Sequence, residues 1–149
     1  MTAEDFVQMI DRAMAMEVKE YGDEAAEKFY RHLKDRAFKT TRCGECGEVA
    51  LPPRIFCPAC FGTDVEWMDL PRRGTLFAFT QQERSLRFRK PDVIGLVELA
   101  GAGRLLTRID APFETLTIGM ELELDFLDVS DEQTLHQFRP ALSPPERSS

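Results

Sequence analysis

Cys43-Gly44-Glu45-Cys46-Gly47 and Cys57-Pro58-Ala59-Cys60, with ten residues between Cys46 and Cys57, contain every cysteine of the chain. A disulfide framework would spread its cysteines along the sequence and would need an oxidising compartment. Two C-x-x-C turns this close do something else. Each sets two thiolates on one tight knuckle with backbone N–H groups aimed at the sulfurs, and two facing knuckles complete a tetrahedron with no open position. Cys43, Cys46, Cys57 and Cys60 are therefore read as ligands of a structural, non-catalytic zinc ion. Iron in a rubredoxin-type site is the alternative, and ligand softness with closed geometry favours zinc. The gap is shorter than the usual spacing between such pairs, yet residues 48–51 and 52–56 leave room for a short β-excursion out and back. Glycine after the first pair supplies the positive φ that a knuckle needs. A segment of this size cannot bury a core of its own, so the metal must supply its stability, on the order of 10 kcal/mol.

Upstream of the knuckles, residues 3–16 read as an amphipathic helix capped by Thr2 or Asp5, with Phe6, Met9, Ile10, Ala13 and Met16 on one face. Tyr21-Gly22 interrupts it. A second helix runs from Asp23 or Glu24 to about Lys34, with Ala26, Phe29, Tyr30 and Leu33 as its apolar stripe. Both helices are candidates for packing on another subunit or on the chain's own core. Downstream the period changes to two. Strands are predicted at 74–80, 93–99, 104–109, 121–129 and 133–138, with a hairpin turn at 100–103. Five short strands with a bending glycine at Gly74 predict a small closed barrel of the OB-fold type. The fold class is α+β: a helical arm (1–36), a zinc ribbon (37–66), an OB-fold barrel (67–140) and a loose proline-rich tail (141–149).

Hydrophobic residues make up 43% of the 149, with eleven Phe, which is enough for a packed interior. No apolar run approaches the ~20 residues of a membrane span. Acidic Glu4 and Asp5 stand where a secretory leader would be basic. The expectation is a cytoplasmic protein with no membrane association. The net charge of −7 is uneven: residues 1–35 carry five basic against nine acidic groups, 110–149 two against nine, and 36–109 twelve against eight. A basic middle in an acidic chain suits an anionic small ligand or a protein partner, and disfavours bulk nucleic acid. That middle includes 81–91, a connection between barrel strands of the kind that contributes to ligand binding in OB-folds. Arg84, Arg87, Arg89 and Lys90 are the candidates for phosphate contact, and Phe88 for stacking on a purine; a solvated loop is the plainer reading.

Taken together, Phe29-Tyr30-Arg31-His32-Leu33, the knuckles with Pro52-Pro53-Arg54 between them, Gly74-Thr75-Leu76, Val93 to Leu99, Leu105-Leu106-Thr107-Arg108-Ile109, Ile118-Gly119-Met120 and Phe138-Arg139-Pro140 resemble the zinc-ribbon/OB-fold acyl-CoA-associated family, domain of unknown function 35. The resemblance covers roughly residues 24–140. It implies a small protein that binds a thiolase-like enzyme and helps handle coenzyme A esters, as the zinc-containing small subunit of benzoylsuccinyl-CoA thiolase does.

Thiolase chemistry needs a nucleophilic thiolate and a general acid or base. Here each cysteine is assigned to metal. His32, in a helix between Arg31 and Leu33, is read as a surface residue, and His136 is no stronger a candidate. Glu121, Glu123 and Asp125 alternate as a solvent face does. The chain is therefore expected to be a non-catalytic accessory subunit in a hetero-oligomer. The rival readings are a nucleic-acid-binding module and a free-standing acyl-CoA carrier.

Overall fold

A computed structural model describes residues 2–5, 24–83 and 92–141. Only the start of the predicted first helix falls within them. There the Thr2 hydroxyl accepts the Asp5 N–H while the Asp5 carboxylate accepts the Thr2 N–H, a reciprocal capping box.

Helix α1 (Glu24–Lys34) has Glu24 and Glu27 in its first turn and Arg31, His32 and Lys34 in its last, each complementing the helix dipole. Its buried residues are Ala25, Phe29 and Leu33, at four-residue steps. The inward stripe thus starts at Ala25 and not at Ala26, because Phe29 and Leu33 set its phase. The helix ends in a Schellman arrangement: Ala37 donates to the carbonyl of His32 at 2.8 Å and Arg36 to that of Leu33 at 2.9 Å. The left-handed position that glycine usually fills is Arg36, at φ 62°.

The Arg36 side chain explains why an arginine is held there. Its guanidinium grips Asp128 with both nitrogens, at 3.0 and 2.7 Å, and lies over the Phe126 ring. Arg72 covers the same ring and donates to the Arg36 carbonyl. The bond from Arg36, then that from Thr134, holds the Asp128 carboxyl at about 2. An unfolded aspartate titrates near 3.9, so this contribution is whole above about pH 4 and disappears as pH falls towards 2. An Asp128→Asn chain should therefore unfold at lower urea than wild type at pH 7, and the gap should narrow by pH 2.5. A gap independent of pH would contradict this origin.

After α1 the chain enters a three-stranded sheet of order β2-β1-β3: β1 (Lys39–Cys43), β2 (Val49–Ala50) and β3 (Val65–Asp69). The sheet frames the cysteine knuckles. The excursion predicted at 48–56 contributes only the two residues of β2, and the longer strands lie on either side of the knuckles. Thr40 and Thr41 are buried in β1, where β-branched side chains suit a pleated surface. Thr40 donates to the carbonyl of Ala50, and Thr41 accepts the N–H of Arg54.

The remaining five strands close a barrel in the order β4-β5-β6-β8-β7: β4 (Arg73–Gln82), β5 (Asp92–Leu99), β6 (Gly103–Ile109), β7 (Glu121–Asp128) and β8 (Thr134–Pro140). The predicted α+β architecture of ribbon and OB-type barrel is the one observed. Gly74 lies where a Cβ would come within 2.5 Å of the Glu98 carbonyl, so β4 can cross β5 this closely only without a side chain. Inside sit Leu76, Val97, Leu99, Ile109, Leu122 and Phe138, with Phe29, Leu33 and Phe38 added from outside the barrel.

Closure joins β6 to β8 in parallel through just two register pairs, Arg108 with Gln137 and Ile109 with Phe138. A polar ladder reinforces that seam. Arg108 donates to Asp92 at 2.8 Å and to Gln137 at 2.5 Å, and Gln137 donates to Asp125 at 2.7 Å. Further along, Arg139 pairs with Glu123, and Arg73 with Glu121 and Glu123. The acids on β7 are therefore one side of a paired ladder, a correction to their reading as a plain solvent face.

Candidate metal centre

The two knuckles are built alike. In the first, Glu45 and Cys46 direct their N–H groups at the Cys43 sulfur, at 3.3 and 3.4 Å, and Gly47 donates to the Cys43 carbonyl at 3.0 Å. In the second, Ala59 and Cys60 do the same to Cys57, at 3.3 and 3.4 Å, and Phe61 donates to the Cys57 carbonyl at 2.9 Å. Cys43 and Cys57 are buried; Cys46 and Cys60 face outward.

All four Sγ atoms lie within 4.8 Å of one another. Cys43 and Cys60 are 3.6 Å apart, and Cys46 and Cys57 are 3.5 Å apart. A tetrahedron with Zn–S of about 2.3 Å has edges of about 3.8 Å, so the spacing fits zinc. The acid–base chemistry fits as well. Backbone N–H groups, chiefly that of Cys60, draw the Cys57 thiol down to about 7. Cys60 is pushed up to about 12: the Gly62 N–H favours its thiolate, but the neighbouring thiols, Cys43 first, and burial outweigh it. Four sulfurs this close cannot all ionise by themselves, and a divalent cation removes the conflict by stabilising four thiolates together.

Arg84, Arg87, Phe88, Arg89 and Lys90 fall outside the described residues, but the strands that flank them do not. Gln82 pairs with Asp92 at one end of the β4–β5 ladder, and Thr75 pairs with Glu98 towards the other. Beside Glu98, a cleft of about 730 Å³ separates the first knuckle from the β5–β6 turn, lined by Gly47, Glu48, Val49 and residues 98–104. Its arginine, Arg104, is already engaged with Glu98 at 3.2 Å and lies over Phe77. The ends of the basic connection are thus roughly 23 Å from this cleft, the length of β5 at about 3.3 Å per residue.

Neither histidine is placed as a base. His32 sets its ring against Trp67, with centroids 4.9 Å apart, and burial is the main cause of its lowered pKa. It is a partly exposed residue that also packs between helix and ribbon. His136 sits edge-on to Phe29, with Nδ1 2.7 Å from the Thr107 hydroxyl. No helix among the described residues is long and apolar enough to cross a membrane. One feature escaped the sequence reading: Ile55, Phe56 and Phe61 stand exposed at the ribbon tip.

Two family models match adjoining stretches of the chain, which together span residues 31–127. One is described as the ChsH2 rubredoxin-like zinc ribbon domain, at residues 31–66, and the other as the ChsH2 C-terminal OB-fold domain, at residues 67–127. A probable enoyl-CoA hydratase alpha subunit of Thermomonospora curvata is 32% identical over 124 residues; the match takes 80% of this chain but only 38% of that protein's length. A DUF35 domain-containing scaffold protein of Methanothermobacter thermautotrophicus is 28% identical, over 69% of this chain and 82% of its own. The benzoylsuccinyl-CoA thiolase subunit BbsA of Thauera aromatica is 27% identical, over 64% of this chain and 67% of its own. Among solved structures, a chain of the Ltp2–ChsH2(DUF35) aldolase superposes with a TM-score of 0.71 at 29% identity, covering 78% of this chain and 94% of that one.

Proposed function

Because the chain belongs to the DUF35 family of zinc-ribbon/OB-fold proteins, we propose that it is a non-catalytic, zinc-containing subunit that binds a thiolase-like enzyme and assists its handling of β-ketoacyl-CoA in the cytoplasm. The observation that carries this reading is the commitment of the cysteines. All four of the chain's thiols converge in one closed set. Acyl transfer through a cysteine thiolate must therefore be supplied by another chain. The kind of chain is suggested by relatives described as a thiolase subunit, a scaffold and an aldolase component. Zinc held by Cys43, Cys46, Cys57 and Cys60 would fix the ribbon and perform no chemistry of its own.

Purification of the tagged protein from its native cells, followed by native mass spectrometry, tests the reading. The expected result is a stable complex with a thiolase-type chain and one zinc per copy of this protein. Recovery of the protein alone, or with nucleic acid, would overturn it.

Within such a complex we assign the coenzyme A phosphates to Arg84, Arg87, Arg89 and Lys90, with Phe88 near the adenine. Replacing the four basic residues together by alanine removes the charge-assisted bonds available to an anionic ligand. Acyl-CoA affinity of the complex, measured by calorimetry, should fall about tenfold or more, equivalent to about 1.4 kcal/mol. Unchanged affinity would assign those contacts to the partner.

A further inference from the structure

The two knuckles differ in the residue that takes the left-handed position. Gly47 closes the first at φ 81° and Phe61 closes the second at φ 63°. A left-handed conformation is strained for a non-glycine residue, and a bulky one is a true outlier there. Burial does not offset that strain, because Phe61 is 73% exposed. Its ring stacks on Phe56, itself 41% exposed, with centroids 6.5 Å apart and planes 19° apart, and Ile55 beside it is 50% exposed. The surrounding sequence is equally unusual. In a chain that is 30% charged, residues 49–63 carry a single charged group, Arg54, which is exposed. Strain kept in an exposed aromatic points to a use outside the chain itself.

We propose that this tip is a protein-docking surface, on which Phe61 and Phe56 enter an apolar pocket of the partner and Arg54 meets a carboxylate at the pocket's rim. The composition of residues 49–63 is that of an interface core, with aromatics and arginine present and lysine, glutamate and aspartate absent from the segment. The charge is local: Arg54 is the one charged side chain of residues 49–63 and attracts an acid on the partner, while the Glu45 carboxylate of the first knuckle lies against Gly62. The knuckles hold both rings before the partner arrives, so little side-chain freedom is lost on docking. The barrel's own exposed Phe77 is a weaker candidate, because Arg104 lies across its ring 3.5 Å from the centroid. The inference rests on the subunit reading above and names the surface that serves it.

The test uses the thiolase-type chain recovered in that purification and measures its Kd for zinc-loaded variants by biolayer interferometry. Phe61→Gly keeps the backbone conformation and removes only the ring; Phe56→Ala removes the stacking partner. Each should weaken binding at least tenfold with one zinc per chain retained, and Phe61→Gly should melt no lower than wild type. Arg54→Glu should weaken binding more than Arg54→Ala. If wild type binds the thiolase-type chain and both Phe variants bind equally well, the docking surface is refuted while the subunit reading stands. If wild type brings down no such chain, it is the subunit reading that fails. Sedimentation of wild type, but not of Phe61→Gly, with phosphatidylcholine vesicles would also overturn the proposal by making the tip a lipid anchor.

Discussion

A Cys57→Ser chain is expected to lose its zinc and, with it, the order of residues 39–69, while most of the barrel's β structure persists. The ribbon sheet has little else to hold it: β2 is two residues long, and the sheet's fully buried side chains are few and small, Thr40, Thr41, Ala50 and Cys43. Structural zinc contributes on the order of 10 kcal/mol to domains of this kind, which equals the whole stability of many small proteins. The chain's one tryptophan, Trp67, reports the event directly, since it sits in β3 against His32. Emission should shift to the red on substitution, and to the same degree when wild type is treated with a strong chelator. Hydrogen exchange should accelerate across 39–69 far more than across β4 to β8. A Cys57→Ser protein that retains one zinc per chain and native Trp67 emission would remove the metal centre from this account.

Arg108→Met should be the most damaging single change in the barrel, lowering stability by about 3–5 kcal/mol in urea denaturation of the zinc-loaded protein. The Asp92 side chain is only 7% exposed, and Arg108 is the ion-pair partner the structure gives it. Truncating the guanidinium strands a carboxylate where water cannot replace the lost charge. It also deprives Gln137 of the donor at its carbonyl oxygen, at the seam where β6 and β8 share only two register pairs. Pairing Arg108→Met with Asp92→Leu should recover most of the loss, because apolar replacement of a whole buried pair is often neutral. A loss below about 1 kcal/mol for the single variant would show that the ladder merely decorates the seam.

The parts of this fold that could be read from sequence are those written in local periodicity. The barrel strands announced themselves by alternation, and the knuckles by two C-x-x-C turns close together, which a tetrahedral metal suits. The ribbon's true framework was harder to see. Lys39–Cys43 and Val65–Asp69 pair across more than twenty residues, and Thr40 and Thr41 look polar until the register places them inside. The β7 carboxylates read as solvent-facing because their partners lie on other strands, Arg139 on the next one and Arg73 on a strand 48 residues from Glu121, which local periodicity does not show. Phe61 gave no signal as a left-handed residue, since nothing in Cys60-Phe61-Gly62 says which residue will take the positive φ that Gly47 takes in the first knuckle. Of the candidate site residues, the four cysteines are brought together as expected. The basic connection was inferred from charge, and its flanking strands fix only where it leaves and rejoins the barrel.

Phe38, the residue just before β1, sits wholly inside the barrel core against Phe138, and its carbonyl accepts the N–H of Leu70 just after β3. Both roots of the ribbon are therefore planted in the same interior. Excising the ribbon together with its roots would unplug the barrel beneath. A chain that lost the metal and the order of 39–69 would still keep Phe38 and Leu70 in that interior, which is why the barrel outlasts the ribbon.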